Sequence, residues 1–123
     1  MDWKIELIPI NVSDVDKAVD FYGTKVGWSI DHDQSPFEGM RFVQVTPPGS
    51  ACSFCFGVGL GMLDDATRQH IQIVVEDADE AHRHLTDRGV QCTDVEDLAW
   101  GRFVHFDDAD GNKWSVQQLV PRP

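Results

Sequence analysis

Positive charge is scarce in this chain. Ten Lys and Arg stand against twenty-one Asp and Glu, for a formal net charge of −11. Such a surface repels phosphate backbones, so nucleic acid is not an expected partner. No apolar run approaches the ~18 residues that a membrane span needs, so no membrane partner is expected either. The opening residues Met1-Asp2-Trp3-Lys4 lack the basic start and unbroken apolar stretch of a secretion signal, and a cytoplasmic location is expected. Cysteine is sparse as well. Cys52, Cys55 and Cys92 are an odd set and make no disulfide framework. Cys52 and Cys55 are spaced as a CxxC pair but lie in the apolar run Ala51–Phe56. In a strand, residues three apart point to opposite faces, so small buried thiols are expected rather than a redox or zinc site. Gly57, Gly59 and Gly61 have no strand–helix unit around them, so no phosphate-cradling loop is expected. No strained nucleophile turn is visible, and no Ser-His-Asp or Cys-His arrangement is supported.

What is present suits one globular domain. The 123 residues are 41% hydrophobic, enough for one continuous core. Ile5–Val12 reads as a strand, and Ser13 or Asp14 can cap a helix over Val15–Val26. Val15, Ala18, Val19, Tyr22 and Val26 give that helix one buried stripe, and Gly27 ends it. Strands are expected near Trp28–Asp31, Arg41–Thr46 and Ala51–Gly57, with Gly57–Thr67 as a linker. The order then restarts: strand His70–Val75, a helix opened by Glu76-Asp77 and reaching Arg88, then strands Val90–Thr93, Arg102–Phe106 and Lys113–Leu119. Trp3 and Trp28 are expected to pack. The pattern of strand, helix and three strands therefore occurs twice, an internal repeat of about 60 residues.

These residues resemble a known superfamily. Val12-Ser13-Asp14, Ala18, Phe21-Tyr22 and Val26-Gly27-Trp28 resemble the opening "V-S-D … A-x-x-F-Y … L-G-W/F" of vicinal-oxygen-chelate domains, the glyoxalase/bleomycin-resistance/dioxygenase group. Asp108-Ala109-Asp110-Gly111-Asn112-Lys113-Trp114 resembles their closing "D-P-D-G-N-x-W". Thr46–Ser53 is similar to a subgroup of small glyoxalase-like proteins without an established activity. The resemblance implies an α+β fold of two βαβββ modules, about residues 3–60 and 68–120 of a single domain at 1–123. Their curved mixed sheets would surround a cavity, and such proteins usually form homodimers.

The resemblance also implies four metal-ligand positions, two from each half. They fall here on Leu7, Ser53, His70 and Ser115. Leu offers no donor, and Ser hydroxyls are weak ligands for zinc, nickel or iron. No metal and no other cofactor is expected; a site displaced onto His105, Gln44, Gln72 or Gln117 is the alternative.

Strand alternation sorts the side chains that would face the cavity. They are Phe42, Gln44, Ser53 and Cys55 in the first half. In the second half they are His70, Gln72, Phe103, His105, Ser115 and Gln117, with Trp100 at the rim. Aromatic surface with amide, hydroxyl and imidazole groups suits a planar, partly polar small-molecule ligand. His70 and His105 are the catalytic candidates, because histidine titrates near neutral pH.

Three functions compete. The first is a metal-free binding protein that sequesters a planar aromatic natural product, as bleomycin-resistance-like members do in antibiotic resistance. The second is a lyase, isomerase or dioxygenase with a displaced metal site or His-based acid/base catalysis. The third is an interaction domain with a filled interior.

Overall fold

The computed structural model describes residues 1–121. It divides into two compact units, Met1–Arg68 and a second that begins at Gln69. The first contains β1 (Leu7–Pro9), α1 (Val15–Val19), β2 (Ser29–Gln34), β3 (Arg41–Thr46) and β4 (Ser53–Val58). The second contains β5 (His70–Val75), α2 (Ala78–Asp87), β6 (Glu96–Leu98), β7 (Gly101–Asp107) and β8 (Lys113–Leu119). Their sheets have the same topology, β1-β4-β3-β2 and β5-β8-β7-β6. In each, the first strand runs parallel to the fourth and the other pairs are antiparallel. The fold is therefore α+β, two βαβββ modules with open four-stranded mixed sheets. Among the described residues no helix is long and apolar enough to cross a membrane.

Both helices start on an aspartate held in extended backbone. Asp14 accepts from the Lys17 N–H, and Asp77 accepts from the N–H groups of Asp79 and Glu80. Each cap satisfies donors that the first helical turn leaves unpaired. The first helix departs from the expected Val15–Val26 α-helix: it is α-wound only to Val19 and π-wound over Asp20–Lys25. The Val26 N–H reaches back to Phe21 O at 2.8 Å, and the Trp28 N–H to Tyr22 O at 2.9 Å. Packing explains the wider turn. Tyr22 is fully buried, edge-on to Phe54 at 4.9 Å between ring centroids and stacked with Trp28 at 6.0 Å. Gly23 lies against β2, where an added Cβ would come within 2.9 Å of Ile30 Cγ1. The local winding yields to the seating of that aromatic cluster.

Four further expectations are corrected. The strand expected over Ile5–Val12 is confined to Leu7–Pro9. One further backbone bond follows it, from the Ile10 N–H to Cys55 O at 2.8 Å. Trp3, expected to pack, is 87% exposed. The strand expected over Val90–Thr93 is irregular, and the sixth strand lies later, at Glu96–Leu98. There the Thr93 hydroxyl accepts from the His105 N–H at 2.9 Å, while the Thr93 N–H donates to His105 O at 2.9 Å. A side chain that takes a ladder partner's place stops the ladder from propagating. Gly57 and Val58, expected to open the linker, belong to β4 and pair with Phe42 and Arg41.

The helix-side faces of the sheets hold the cores. Val43, Val45, Phe54 and Phe56 are buried in the first unit. Val104, Phe106, Trp114 and Val116 are buried in the second, with Phe106 and Trp114 stacked at 6.2 Å and 11°. This alternation leaves the other face of each sheet to the polar set.

Candidate functional site

In the second sheet, register brings the expected residues onto one face. Gln72 pairs with Ser115, His105 with Ser115, and Phe103 with Gln117. His70 Nε2 lies 2.6 Å from Ser115 Oγ, and His105 Nδ1 lies 2.9 Å from the same oxygen. A hydroxyl has one proton, so Ser115 can donate to only one imidazole. The other ring must then donate its N–H to Oγ. At least one of the two histidines is therefore a donor to this buried hydroxyl.

A second chain runs beside the first. Gln72 Nε2 donates to Gln117 Oε1, and Gln117 Nε2 donates to Trp100 O at 3.0 Å. Gln117 thereby pins the β6–β7 turn that carries the Trp100 indole, which is 63% exposed. Gly101 makes room for this: an added Cβ would sit 2.8 Å from Gln117 Nε2. The rings of Phe103 and His105 are stacked, their planes 8° from parallel and their centroids 5.9 Å apart. Exposure varies across the face. His70 and Gln72, on the edge strand β5, are open, whereas Phe103, Ser115 and Gln117 are buried.

In the first sheet, Gln44 pairs with Cys55 and Phe42 with Gly57, so Phe42, Gln44 and Cys55 share a face. Phe42 and Gln44 are half-buried. Cys55 is fully buried, with Sγ 3.9 Å from Met62 Sδ. Burial pushes the Cys55 thiol above its ordinary pKa. Ser53 and Leu7 are register partners across β1 and β4. Ser53 Oγ lies 2.6 Å from Thr46 Oγ1, and Thr46 Oγ1 donates to Asp31 Oδ2. Ser29 Oγ donates to Asp31 Oδ1 at 3.0 Å. The Thr46 and Ser29 hydroxyls hold the Asp31 carboxyl below its usual range. Strand patterning missed Asp31 and Thr46. The β2–β3 register shifts between Ile30 and His32, and no residue type in Ser29–Gln34 announces that bulge.

The first unit also holds a cleft of about 350 Å³ that includes Ile10, Asn11, Gly59, Leu60, Met62 and Arg68. It contains none of the expected site residues. Two of its polar side chains, Asn11 and Arg68, are engaged in tying down the linker. Asn11 Nδ2 donates to Asp64 O and Thr67 O, and Arg68 Nη1 donates to Asp65 O and Thr67 O. The sheet faces, where rings and ordered polar groups occur together, are the better candidate.

The sequence matches the family model of the glyoxalase/bleomycin resistance protein/dioxygenase superfamily over residues 4–116. The chain belongs to that superfamily. A superfamily member from Sphaerobacter thermophilus DSM 20745 is 33% identical, covers 94% of this chain and 97% of its own, and superposes with a TM-score of 0.78. TnmS3, an antibiotic binding protein from Streptomyces sp. CB03234, is 29% identical, with 97% and 98% covered and a TM-score of 0.83. The uncharacterized protein YetH of Bacillus subtilis (strain 168) is 25% identical over 118 residues, covering 94% of this chain and 98% of YetH.

The metal implied by resemblance to metal-dependent members of this superfamily does not fit the residues present. Leu7, beside Ser53, has no donor atom. Ser115 Oγ is held between two imidazoles, and one of them is His70 through Nε2. Ser53 Oγ is engaged with Thr46. Among the described residues, no three His, Cys, Asp or Glu side chains form a group able to hold a metal ion.

Proposed function

We propose that this chain is a metal-free small-molecule-binding protein of the superfamily, taking a planar, partly polar aromatic ligand. Sequestration of such a natural product, as in drug resistance, is the role in view. The observation that carries the reading is the stacked Phe103–His105 ring pair flanked by the hydrogen-bonded Ser115 and Gln117 side chains. Flat rings supply stacking area, and fixed polar groups supply orientation. Similarity to an antibiotic-binding protein over nearly the whole chain supports it. The ligand-binding residues proposed are Phe42, Gln44, Ser53 and Cys55 on the first sheet and His70, Gln72, Trp100, Phe103, His105, Ser115 and Gln117 in the second unit. The two modules act as one domain, and the protein works as a cytoplasmic homodimer.

The test combines metal analysis with a ligand screen. Purified, untagged protein dialysed against zinc, nickel, manganese and iron should retain no stoichiometric metal by mass spectrometry. Planar aromatic compounds should then change tryptophan fluorescence. Stoichiometric metal, or no response from any planar compound, would sink the reading.

A second reading, His-based acid/base catalysis, is favoured by one observation: His70 and His105 both reach Ser115 Oγ. Turnover of a bound ligand that is lost in both His70→Gln and His105→Gln would establish it.

A further inference from the structure

We infer that Asp31 and Thr46 fix Ser53 as a pure hydrogen-bond acceptor, so that the ligand meets the first sheet through a hydroxyl or N–H donor. This rests on the binding reading above and specifies the chemistry of that ligand.

The protons along this chain of oxygens can be counted. A carboxylate carries none, so in the Thr46–Asp31 hydrogen bond the threonine hydroxyl donates. That uses its only proton. The 2.6 Å contact between Thr46 Oγ1 and Ser53 Oγ still needs one, and Ser53 alone can supply it. Ser53 has then spent its own proton and presents only lone pairs.

Three features hold this direction. The bulge between Ile30 and His32 places Asp31 against Thr46. Ser29 Oγ donates to the other carboxylate oxygen, so Asp31 is engaged from two hydroxyls. The Ser53 N–H is tied to Glu6 O at 3.0 Å, which fixes the serine backbone. Leu7, the strand partner of Ser53, offers no competing polar group. Where the superfamily resemblance implies a metal ligand, this chain has a serine oriented by a threonine and an aspartate.

A phenolic O–H or an aromatic N–H satisfies such an acceptor. A methyl ether, ketone or carboxylate oxygen does not, because two sets of lone pairs then face each other. The net charge of −11 disfavours anions further.

Two measurements test the inference. Neutron diffraction of the deuterated protein should find the Ser53 hydroxyl deuterium on the line to Thr46 Oγ1; a deuterium turned away from Thr46 overturns it. Calorimetric titration with 2-naphthol and 2-methoxynaphthalene should show the naphthol binding about tenfold tighter, the worth of one hydrogen bond. Thr46→Val frees the serine proton and should bring that ratio close to one. Asp31→Ala, at an exposed position, should lower it as well. Equal binding of the two probes to the native protein, or an unchanged ratio in Thr46→Val, overturns the inference. Failure of both probes to bind tells against the aromatic-ligand reading itself, and the neutron result then decides the polarity of Ser53 independently.

Discussion

Arg41 and Asp33 form a bidentate pair, Nε to Oδ1 at 2.9 Å and Nη2 to Oδ2 at 2.9 Å. Arg41 Nη1 also reaches Asp16 in the first turn of α1, at 2.7 Å. The second module repeats the device. Arg102, at the same place in β7, bonds Asp97 on β6 at 2.6 Å and Asp79 in the first turn of α2 at 2.9 Å. In each module one arginine therefore clamps the helix start to the two strands that follow. The internal repeat extends from topology to individual ion pairs.

These clamps predict an acid response. The Arg41 guanidinium holds Asp33, and Arg102 holds Asp79, below the ordinary carboxylate value of 3.8. A carboxyl whose pKa is lower in the folded state stabilises fully above the unfolded value. That contribution is lost as pH falls through the lowered native value. Arg41→Met and Arg102→Met should therefore lower Tm at pH 7 and lower it less at about pH 2, because falling pH takes the carboxyls toward their lowered native values. For Arg41 the loss at pH 7 should be about 1 kcal/mol, because exposed pairs are screened. Thermal unfolding at both pH values checks this. An equal loss at both would show that the arginine stems act by packing alone.

Gly57→Ala should be severely destabilising. The added Cβ would lie 1.8 Å from Arg41 O, so β3 and β4 would have to separate. We expect a loss of about 3 kcal/mol or more by urea denaturation. A loss under ~1 kcal/mol would mean that the β3–β4 pairing yields easily at this point.

Trp114→Ala should remove the largest fully buried side chain and its stacking on Phe106. The expected cost is about 3–5 kcal/mol. Trp28 lies in the other unit, so its near-ultraviolet signal reports whether that unit survives the change. Concerted loss of both signals would show that the modules unfold together.

Phe103→Ala and Phe42→Ala should weaken binding of planar aromatic ligands while leaving the oligomeric state unchanged. Calorimetry and light scattering read the two effects separately. Full-strength binding in both variants would move the site elsewhere, with the cleft beside Asn11 as the next place to search.

The three thiols should react slowly. Burial pushes Cys52, Cys55 and Cys92 above the ordinary thiol pKa, so less thiolate is present at neutral pH. Iodoacetamide should label the folded protein more slowly than the urea-unfolded chain, with Cys55 slowest. Rapid labelling of Cys55 would show that Met62 leaves its sulfur frequently.

Local patterning was enough to establish much of this protein. Alternation set the faces of β5 and β8 residue by residue, because a period of two leaves each side chain only one side of a sheet. Ser13-Asp14 and Glu76-Asp77 announced the helix starts, and the repeated order of elements announced the two modules. Leu7 and Ser115 were sufficient to question a metal, since ligand chemistry depends on residue type once the position is known. What tertiary structure decided are relations that no short window carries. The π-wound segment at Asp20–Lys25 answers to Tyr22, Trp28 and Phe54, which meet only on packing. The displacement of β6 past Thr93 depends on which ladder bonds remain available. The chain from Asp31 through Thr46 to Ser53 depends on a one-residue bulge in β2. The direction of a hydroxyl proton is set by its neighbours in space, and those neighbours are fixed only when the strands pair.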